Sequence, residues 1–285
     1  MTTKEDTNQH ADSELAASWD DAAEAIEHDP MRPIRYGKCF AYVQRSERSL
    51  HFLEIGCGEG TGLLFASQMG FHNLAGCEIS AERLRRARAK LRTQITLKSV
   101  DGSGSLPFDT ASFDGAYSTA VIEHTISPSA FMQEIARVVK PGGTVVISSD
   151  CWQWRILQLL GIYQSAQPID RAMTTEGLLS LFRSTGFEVL HFDGFPLQGE
   201  EFRFLRLLTS WVWKNPFSAR VIARLRRFTR HNARIVTQSS RARSLEQEYD
   251  IFVKTAEGGN SQKPRWLRYM HSMFSDENVF LLRRK

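Results

Sequence analysis

A glycine-rich turn after a short apolar run constrains the fold of this chain more than any other feature of its sequence. Residues 53–62 read LEIGCGEGTG. The apolar run predicts a buried strand, and the residues after the glycines predict a helix. Glycine is needed where the backbone adopts a positive φ or where a ligand comes close to the main chain. The segment therefore predicts a strand–turn–helix unit in which a side chain at Gly56 or Gly58 would fill the ligand's volume.

The spacing of these glycines distinguishes between classes of ligand. A dinucleotide fingerprint reads G-x-G-x-x-G, which leaves a helix N-terminus free to bind a pyrophosphate. Counted from Gly56, the third glycine would fall at Thr61, and the turn instead reads G-x-G-x-G with Glu54 two residues before it. S-adenosylmethionine (SAM) carries an α-ammonium and a sulfonium but no phosphate. An acid beside the turn therefore favours SAM over a dinucleotide.

Two further acids follow the next two predicted strands. Glu78 ends the strand after the glycine turn, and Asp101 ends the strand after that. An acid about 20 residues beyond the glycines is placed to accept hydrogen bonds from ribose hydroxyls. Asp101 could meet an adenine amino group, although either acid could also be an ordinary helix cap. Three acids at successive strand ends predict a ligand crevice at one edge of the sheet.

Predicted strands and helices alternate along most of the chain, which is typical of an α/β protein with a parallel sheet and helices on both faces. An earlier helical pattern covers residues 13–45, with a break near Pro30 and Pro33. The strands are predicted at 50–55, 74–77, 95–100, 115–117, 144–148, 188–192 and 249–254, and the helices at 61–70, 81–92, 129–139 and 174–185.

Four stretches together resemble the class I SAM-dependent methyltransferases, and more closely the branch of the ubiquinone/menaquinone biosynthesis methyltransferases. They are LEIGCGEGTG (53–62), GCEIS (76–80), VDGSGSLPFDTASFDGAYSTAVIEH (100–124) and EIARVVKPGGTVVIS (134–148), and the likeness covers roughly half the chain, residues 50–192. The resemblance implies a Rossmann-like, mostly parallel, doubly wound sheet. It also implies an antiparallel last strand, an N-terminal helical cap and a helical insertion before the last strand.

The resemblance also implies roles for particular residues. The methionine part of SAM is expected at Glu54, Gly56, Gly58 and Gly60, the ribose at Glu78, and the adenine at Asp101 with Gly102. Cys57, Ile79 and Ser118 are expected to complete the cofactor site.

His124, which follows the fourth strand of this unit, is the candidate catalytic base. A base is required only when the acceptor must lose a proton, as a hydroxyl does. The alternative is a hydrogen-bonded histidine that shapes the loop. Tyr117, Ser118 and Glu123 are lesser candidates. The fourth strand is not followed by an [Asp/Asn]-Pro-Pro-aromatic or Pro-Cys motif, which disfavours methylation of the adenine amino group and of cytosine C5 in nucleic acid.

The segment 202–235 combines arginines with apolar residues at helical spacing. Residues 202–244 hold eleven bases and no acid, whereas residues 1–30 hold nine acids and one base. Three interpretations stay open: a packed lid with a solvated basic face, a surface that contacts anionic membrane, and a site for an anionic acceptor. Glu123 is also expected at the acceptor pocket. Four aromatic residues are expected either to line that pocket or to belong to the core: Trp19, Trp152, Trp154 and Tyr163.

The chain divides by pattern into six segments. No basic-then-apolar leader and no apolar run of about 20 residues is visible, so a cytoplasmic protein is predicted, with peripheral membrane contact through 202–235 as an alternative. The four cysteines lack CxxC spacing, so free thiols and no metal site are predicted. The segments are an acidic tail (1–12), a helical cap (13–48), the SAM-binding core (49–192), a basic aromatic insertion (193–248), the last strand (249–257) and a C-terminal tail (258–285).

The predicted function is transfer of a methyl group from SAM to a small-molecule acceptor, with S-adenosylhomocysteine (SAH) as product. His124 makes oxygen the favoured acceptor atom, and a lipid-linked, glycosylated or other metabolite acceptor would suit the insertion. The alternatives are an RNA methyltransferase and a membrane-associated SAM-binding accessory protein without turnover. The sequence leaves the oligomeric state open.

Overall fold

A computed structural model shows a seven-stranded sheet with helices on both faces. Its strand order is β3-β2-β1-β4-β5-β7-β6. Strands β1 to β5 pair in parallel, and β7 lies antiparallel between β5 and β6. The predicted fold class, including the antiparallel last strand, is confirmed. The structure describes residues 17–20, 32–43, 49–91, 95–101, 104–150, 169–195, 244–257 and 277–285.

The main elements of this fold within the described residues are the following α-helices and strands. They are α1 (Arg32–Phe40), β1 (His51–Ile55), α2 (Thr61–Gln68), β2 (Asn73–Glu78), α3 (Ala81–Leu91), β3 (Thr96–Ser99), β4 (Phe113–Thr119), α4 (Pro128–Val138), β5 (Val139–Asp150), α5 (Thr175–Ser184), β6 (Phe187–Phe195), α6 (Leu245–Glu257) and β7 (Glu277–Arg284).

The sheet is covered by apolar side chains on both faces, as a parallel sheet requires. The buried apolar side chains form two hydrophobic clusters. In β1, Phe52 belongs to one cluster, and Leu53 and Ile55 belong to the other. The helices begin where the sequence supplies caps. The Thr174 hydroxyl accepts a hydrogen bond from the backbone N–H of Gly177 and so caps α5.

The strand predicted at 249–257 is wrong, because these residues belong to helix α6. Ser244 and Gln247 form a reciprocal capping box: the Gln247 N–H donates to Ser244 Oγ at 3.3 Å, and the Ser244 N–H donates to Gln247 Oε1 at 3.1 Å. Tyr249 and Phe252 then lie on one helical face and contact Phe65, with ring centroids 5.6 and 5.1 Å away. Residues 249–254 have strand propensity, but they form a helix whose aromatic side chains pack against Phe65 of α2.

The last strand is β7, and it falls inside the segment 258–285 that was predicted to be a tail. Its register sets Val146 opposite Leu281 and Phe192 opposite Phe280. The side chains of Phe280 and Leu282 are fully buried. This strand is fixed by pairing with two distant strands. Most of the insertion predicted at 193–248 lies outside the described residues.

Helix α1 lies within the segment predicted as a helical cap and is joined to the C-terminal elements by two ion pairs. The Arg32 guanidinium donates to both carboxylate oxygens of Glu248 at 2.9 Å. Arg35 Nε lies 2.7 Å from both oxygens of Glu277. These pairs hold α1 against α6 and the start of β7. No helix in the described ranges has the length and apolar character needed to cross a bilayer.

Candidate functional site

The glycine turn lies between β1 and α2, at the edge of the sheet where the parallel strands end. The backbone N–H groups of Gly56 and Cys57 both donate to the Cys77 carbonyl at 2.9 Å, which folds the turn onto the end of β2. Gly56, Gly58 and Gly60 have φ values of 73°, 52° and 74°. These positive φ values explain why glycine alternates along the turn.

The turn also lacks space for side chains. A Cβ added at Gly58 would lie 2.4 Å from Nη2 of Arg83, which reaches over the turn from α3. A Cβ added at Gly56 would lie 2.5 Å from Cγ2 of Val121. The second contact shows that the residues following β4 lie directly against the glycine turn. The sequence-predicted cofactor and catalytic regions are therefore adjacent.

Glu54 lies at the end of β1 and is fully buried. The Tyr117 hydroxyl donates to its Oε2 at 3.2 Å, while Oε1 has no hydrogen-bond partner within the described part of the chain. Burial raises the pKa of Glu54 from 4.5 to about 8, and hydrogen bonds from Tyr36 and Tyr117 oppose that shift. A buried carboxyl in this state would be stabilised by a cation that approached it.

Glu78 ties the glycine turn to β2 and α3. Its Oε2 accepts a hydrogen bond from the Gly58 N–H at 2.7 Å, and its Oε1 accepts from the N–H groups of Ile79 and Ser80 at 3.0 Å. Arg83 Nη1 lies 4.0 Å from Oε2. Backbone donors thus hold the carboxylate in one orientation beside the turn.

The other sequence-predicted cofactor residues lie around this pair of acids. Asp101 is exposed just beyond β3, and the preceding Val100 N–H donates to the Glu78 carbonyl at 3.0 Å. Ser118 is buried in β4, and its hydroxyl donates to the Ile55 carbonyl at 3.0 Å. Gly102 lies outside the described residues. The set that the structure brings together is Glu54, Gly56, Cys57, Gly58, Gly60, Glu78, Ile79 and Ser118.

The turn after β4 presents a buried imidazole in a defined tautomer. His124 is 7% exposed, and its Nδ1 lies 2.6 Å from the Ile169 carbonyl oxygen. Because a carbonyl can only accept, Nδ1 carries the proton and Nε2 keeps a lone pair when the ring is neutral. Nε2 has no hydrogen-bond partner among the described residues and lies 3.9 Å from Oε1 of Glu123. Its lone pair is available to a bound molecule.

The backbone that leads to His124 is strained. Ala120, at the end of β4, has a φ of 51°, a region that costs energy for a residue with a side chain. Its N–H donates to the Ser148 carbonyl and lies 3.2 Å from Ser148 Oγ. The sharp bend turns the chain from β4 into the short 3-10 helix Ile122–His124, which carries two candidate bases, Glu123 and His124.

Further acids lie beside His124 at the ends of neighbouring strands. The Asp150 N–H, at the end of β5, donates to Oε1 of Glu123 at 3.1 Å, while Oε2 of Glu123 is buried without a hydrogen-bond partner in the residues described. Desolvation raises the pKa of Asp150 well above its ordinary value, and the charges of Glu123 and Glu277 raise it further. Asp150 and Glu277 were not predicted as site residues. Asp150 ends a strand as Glu78 does, so the same rule could have found it.

Residues 17–20 contact both His124 and the start of α3. The Trp19 ring makes an edge contact with the His124 imidazole, with centroids 5.6 Å apart. The next residue, Asp20, accepts hydrogen bonds from the Ser80 hydroxyl and, at 3.1 Å, from the Glu82 N–H. Trp19 is thus placed beside the predicted catalytic residue. Trp152, Trp154 and Tyr163 lie outside the described residues.

Comparison with known proteins identifies the central part of the chain. Residues 53–147 match the family model described as a methyltransferase domain. An O-methyltransferase of Aspergillus sclerotiorum is 28% identical over 153 residues, covering 52% of this chain and 58% of that protein. A 2-methyl-6-phytyl-1,4-hydroquinone methyltransferase of Synechocystis is 35% identical over 105 residues, covering 36% and 32%. The chain thus spans about a third to somewhat over half the length of these relatives.

Comparison with solved structures bears on the fold. A chain in the complex between the Haloferax volcanii Trm112 methyltransferase activator and the putative methyltransferase superposes with a TM-score of 0.58. The two chains are 16% identical, and the match covers 93% of this chain and 96% of that one. At this identity the likeness concerns the fold, which is the Rossmann-like methyltransferase architecture. The match to a methyltransferase domain over residues 53–147 and the likeness in fold agree with each other.

Proposed function

We propose that this chain is a SAM-dependent methyltransferase that acts on a small-molecule acceptor through a hydroxyl group. The observation that carries the proposal is the placement of His124. Its Nε2, which has no hydrogen-bond partner among the described residues, lies in a turn that packs, through Val121, against Gly56 of the glycine turn. A base for the acceptor and a cradle for the methyl donor are therefore built into neighbouring turns.

The residues at the ends of β1 and β2 fit SAM. The glycines of the turn over residues 56–60 have positive φ and are packed by Val121, Arg83 and Leu91, which fixes the main chain of the turn beside the ends of β1 and β2. The buried Oε1 of Glu54 has no hydrogen-bond partner in the described ranges and is suited to a group with N–H donors, as the α-ammonium is. Glu78 is fixed by three backbone donors and retains accepting capacity for ribose hydroxyls. Asp101 and Gly102 are proposed for the adenine.

SAM supplies a methyl group that is already activated on a sulfonium. The task left to the protein is to hold the acceptor oxygen in line with that group and to remove its proton. His124 would receive the hydroxyl proton at Nε2 as the acceptor oxygen bonds the methyl carbon and the bond from that carbon to sulfur breaks, which leaves SAH. The Ile169 carbonyl holds the ring through Nδ1 at 2.6 Å. Glu123 Oε1, 3.9 Å from Nε2, stabilises the imidazolium that results.

Trp19 covers His124 and would limit the access of water to the base. Trp19 makes an edge contact with the imidazole, and the neighbouring Asp20 holds this segment in place by accepting a hydrogen bond from the Glu82 N–H at the start of α3. Exclusion of water strengthens the interaction between Glu123 and a protonated His124. Assignment to the ubiquinone/menaquinone branch stays a prediction that rests on the motif text.

The acceptor class is tested with SAM labelled in its methyl group. Incubation with a metabolite extract and with total RNA should place label in a small molecule that resists base-catalysed demethylation, as an ether does. Variants of the buried acids, Glu54→Gln and Glu78→Gln, are compared with Glu188→Gln, which changes an exposed acid of β6. Label in the RNA would replace the small-molecule proposal, and SAM binding without transfer to either pool would favour a non-catalytic SAM-binding protein.

A further inference from the structure

Four carboxylates gather at the acceptor side of the site, and we name Glu123, Asp150, Asp170 and Glu277 the acid cluster. Glu123, Asp170 and Glu277 each act electrostatically on Asp150 and raise its pKa. Glu123 and Glu277 are at most 2% exposed. The described residues bring Arg35 to this cluster, where both oxygens of Glu277 engage it at 2.7 Å. Negative charge therefore exceeds positive charge among the residues that the structure describes here.

Two buried polar atoms lack hydrogen-bond partners in the part of the chain that the structure describes. Glu123 Oε2 makes no hydrogen bond within the described ranges, and neither does Nε2 of His124. A buried polar atom that loses its hydrogen bonds to water typically costs about 1–3 kcal/mol. Native proteins rarely leave such atoms unpaired outside functional sites. His124 is not one of the acids, and its Nε2 faces the cluster at 3.9 Å from Glu123 Oε1.

The chemistry of the missing partner is restricted by the same residues. No three acidic, histidine or cysteine side chains in the described parts of the chain are arranged to hold a metal ion. Free carboxylate oxygens accept hydrogen bonds and attract positive charge. An organic cation with N–H donors satisfies both requirements, whereas a neutral hydroxyl supplies a single donor and a carboxylate would be repelled.

We infer that the acid cluster is a subsite for a cationic nitrogen of the acceptor. The substrate class is a hydroxylated amine, in which the hydroxyl that is methylated approaches Nε2 of His124 while the ammonium binds Glu123 and Asp150. This inference rests on the proposed methyltransferase function and narrows its substrate. The ammonium of SAM is assigned to Glu54 at the end of β1, so the two cations occupy different carboxylates.

The charge also gives the subsite selectivity. A charge-assisted hydrogen bond is roughly twice as strong as a neutral one. Replacing the ammonium by a methyl group leaves the buried Glu123 oxygen unpaired, so the neutral analogue should bind at least about tenfold more weakly. An acceptor with a carboxylate at this end should bind most weakly, because its carboxylate would be repelled by the acids of the cluster.

The experiment uses isothermal titration calorimetry on the full chain saturated with SAH. Three phenols of similar shape serve as probes: tyramine, its neutral analogue para-propylphenol and its acidic analogue para-hydroxyphenylpropionate. We expect tyramine to bind at least about tenfold more tightly than para-propylphenol, and the acid to bind most weakly. Equal affinities, a preference for the acid, or no binding of any probe overturns the inference.

Two variants locate the selectivity. Asp150→Asn removes a charge with little change of volume and should abolish most of the preference for tyramine, as should Glu123→Gln. Asp109→Asn, at an exposed position outside the site, should leave the preference intact. A preference unchanged in both cluster variants would place the ammonium elsewhere and contradict the inference. The SAH titration that precedes each experiment is an independent test. If the wild-type chain gives no heat of SAH binding, the proposed function is contradicted. If SAH binds normally but tyramine is not preferred, only the proposed subsite is contradicted.

Discussion

The two halves of the site differ in how their acids are partnered. In the cofactor half, at the ends of β1 and β2, Glu78 receives three backbone hydrogen bonds and is held in place before any ligand binds. In the acceptor half, at the ends of β4 and β5, Glu123 keeps a buried oxygen without a partner in the residues described. The comparison teaches that the cofactor half is built largely by the fold, whereas the acceptor half depends on its ligand for compensation.

The largest effect should come from the acceptor half. We expect His124→Gln to lower kcat about a hundredfold to ten-thousandfold, since general-base catalysis contributes rate factors of that order. The Kd for SAM should change little, because His124 lies outside the glycine turn. His72→Gln, at an exposed position, is the control. A variant that loses SAM binding together with kcat would break the division into two halves.

A variant in the cofactor half should instead weaken the binding of SAM. Gly58→Ala places a Cβ where φ is 52° and where Nη2 of Arg83 would lie 2.4 Å away. We expect the Kd for SAM to rise about tenfold or more, because distortion worth 1–2 kcal/mol is introduced at the cradle itself. Gly142→Ala is a matched control with a φ of 79° and open space around it. If both variants bind SAM equally well, close approach at Gly58 is not required.

Glu54 is the exception that sharpens the comparison, because it lies in the cofactor half yet is poorly compensated. Its raised pKa of about 8 means that its contribution to stability is full below pH 4.5 and is lost as the pH rises through 8. The free energy of unfolding should therefore fall with pH more steeply for the wild-type chain than for Glu54→Gln, by up to about 1.4 kcal/mol per pH unit. Denaturant titrations between pH 5 and 9 measure this difference. Parallel pH profiles would contradict the assignment.

The smallest effect concerns the segment that joins the two halves. Asp20→Ala removes the acceptor of the Glu82 N–H at the start of α3. Loss of such a cap typically costs about 1 kcal/mol, so we expect a rise of about fivefold in the KM for SAM and a modest rise for the acceptor. Asp109→Ala controls for the loss of a surface charge. An effect on one substrate alone would show that residues 17–20 do not couple the halves.

The part of the fold that was predictable is the part written in local pattern. The turn at Gly56–Gly60, with β1 before it and α2 after it, follows from local pattern, as do Glu78 at the end of β2 and His124 in the segment that follows β4. The strand predicted at 249–254 failed because Tyr249 and Phe252 have strand propensity, while Ser244, Gln247 and the packing of Phe65 decide for a helix.

The acceptor half was harder to predict for a physical reason. Glu277 reaches the site because β7 pairs with β5, and that pairing joins residues about 130 positions apart. The contact of Trp19 with His124 likewise depends on how the N-terminal segment folds back. Sequence spacing gives no information about such approaches. Asp150 could have been found, because it ends a strand at the same edge as Glu78.

The most direct test of the account is calorimetric titration of the wild-type chain and Glu78→Gln with SAH, with Glu188→Gln as the control. The account predicts saturable binding to the wild type and to the control. It predicts a Kd at least about tenfold higher for Glu78→Gln, because the carboxylate that orders the glycine turn is lost. Absence of binding heat for well-folded wild-type protein, or an unchanged Kd in Glu78→Gln, would contradict a SAM site at this edge of the sheet.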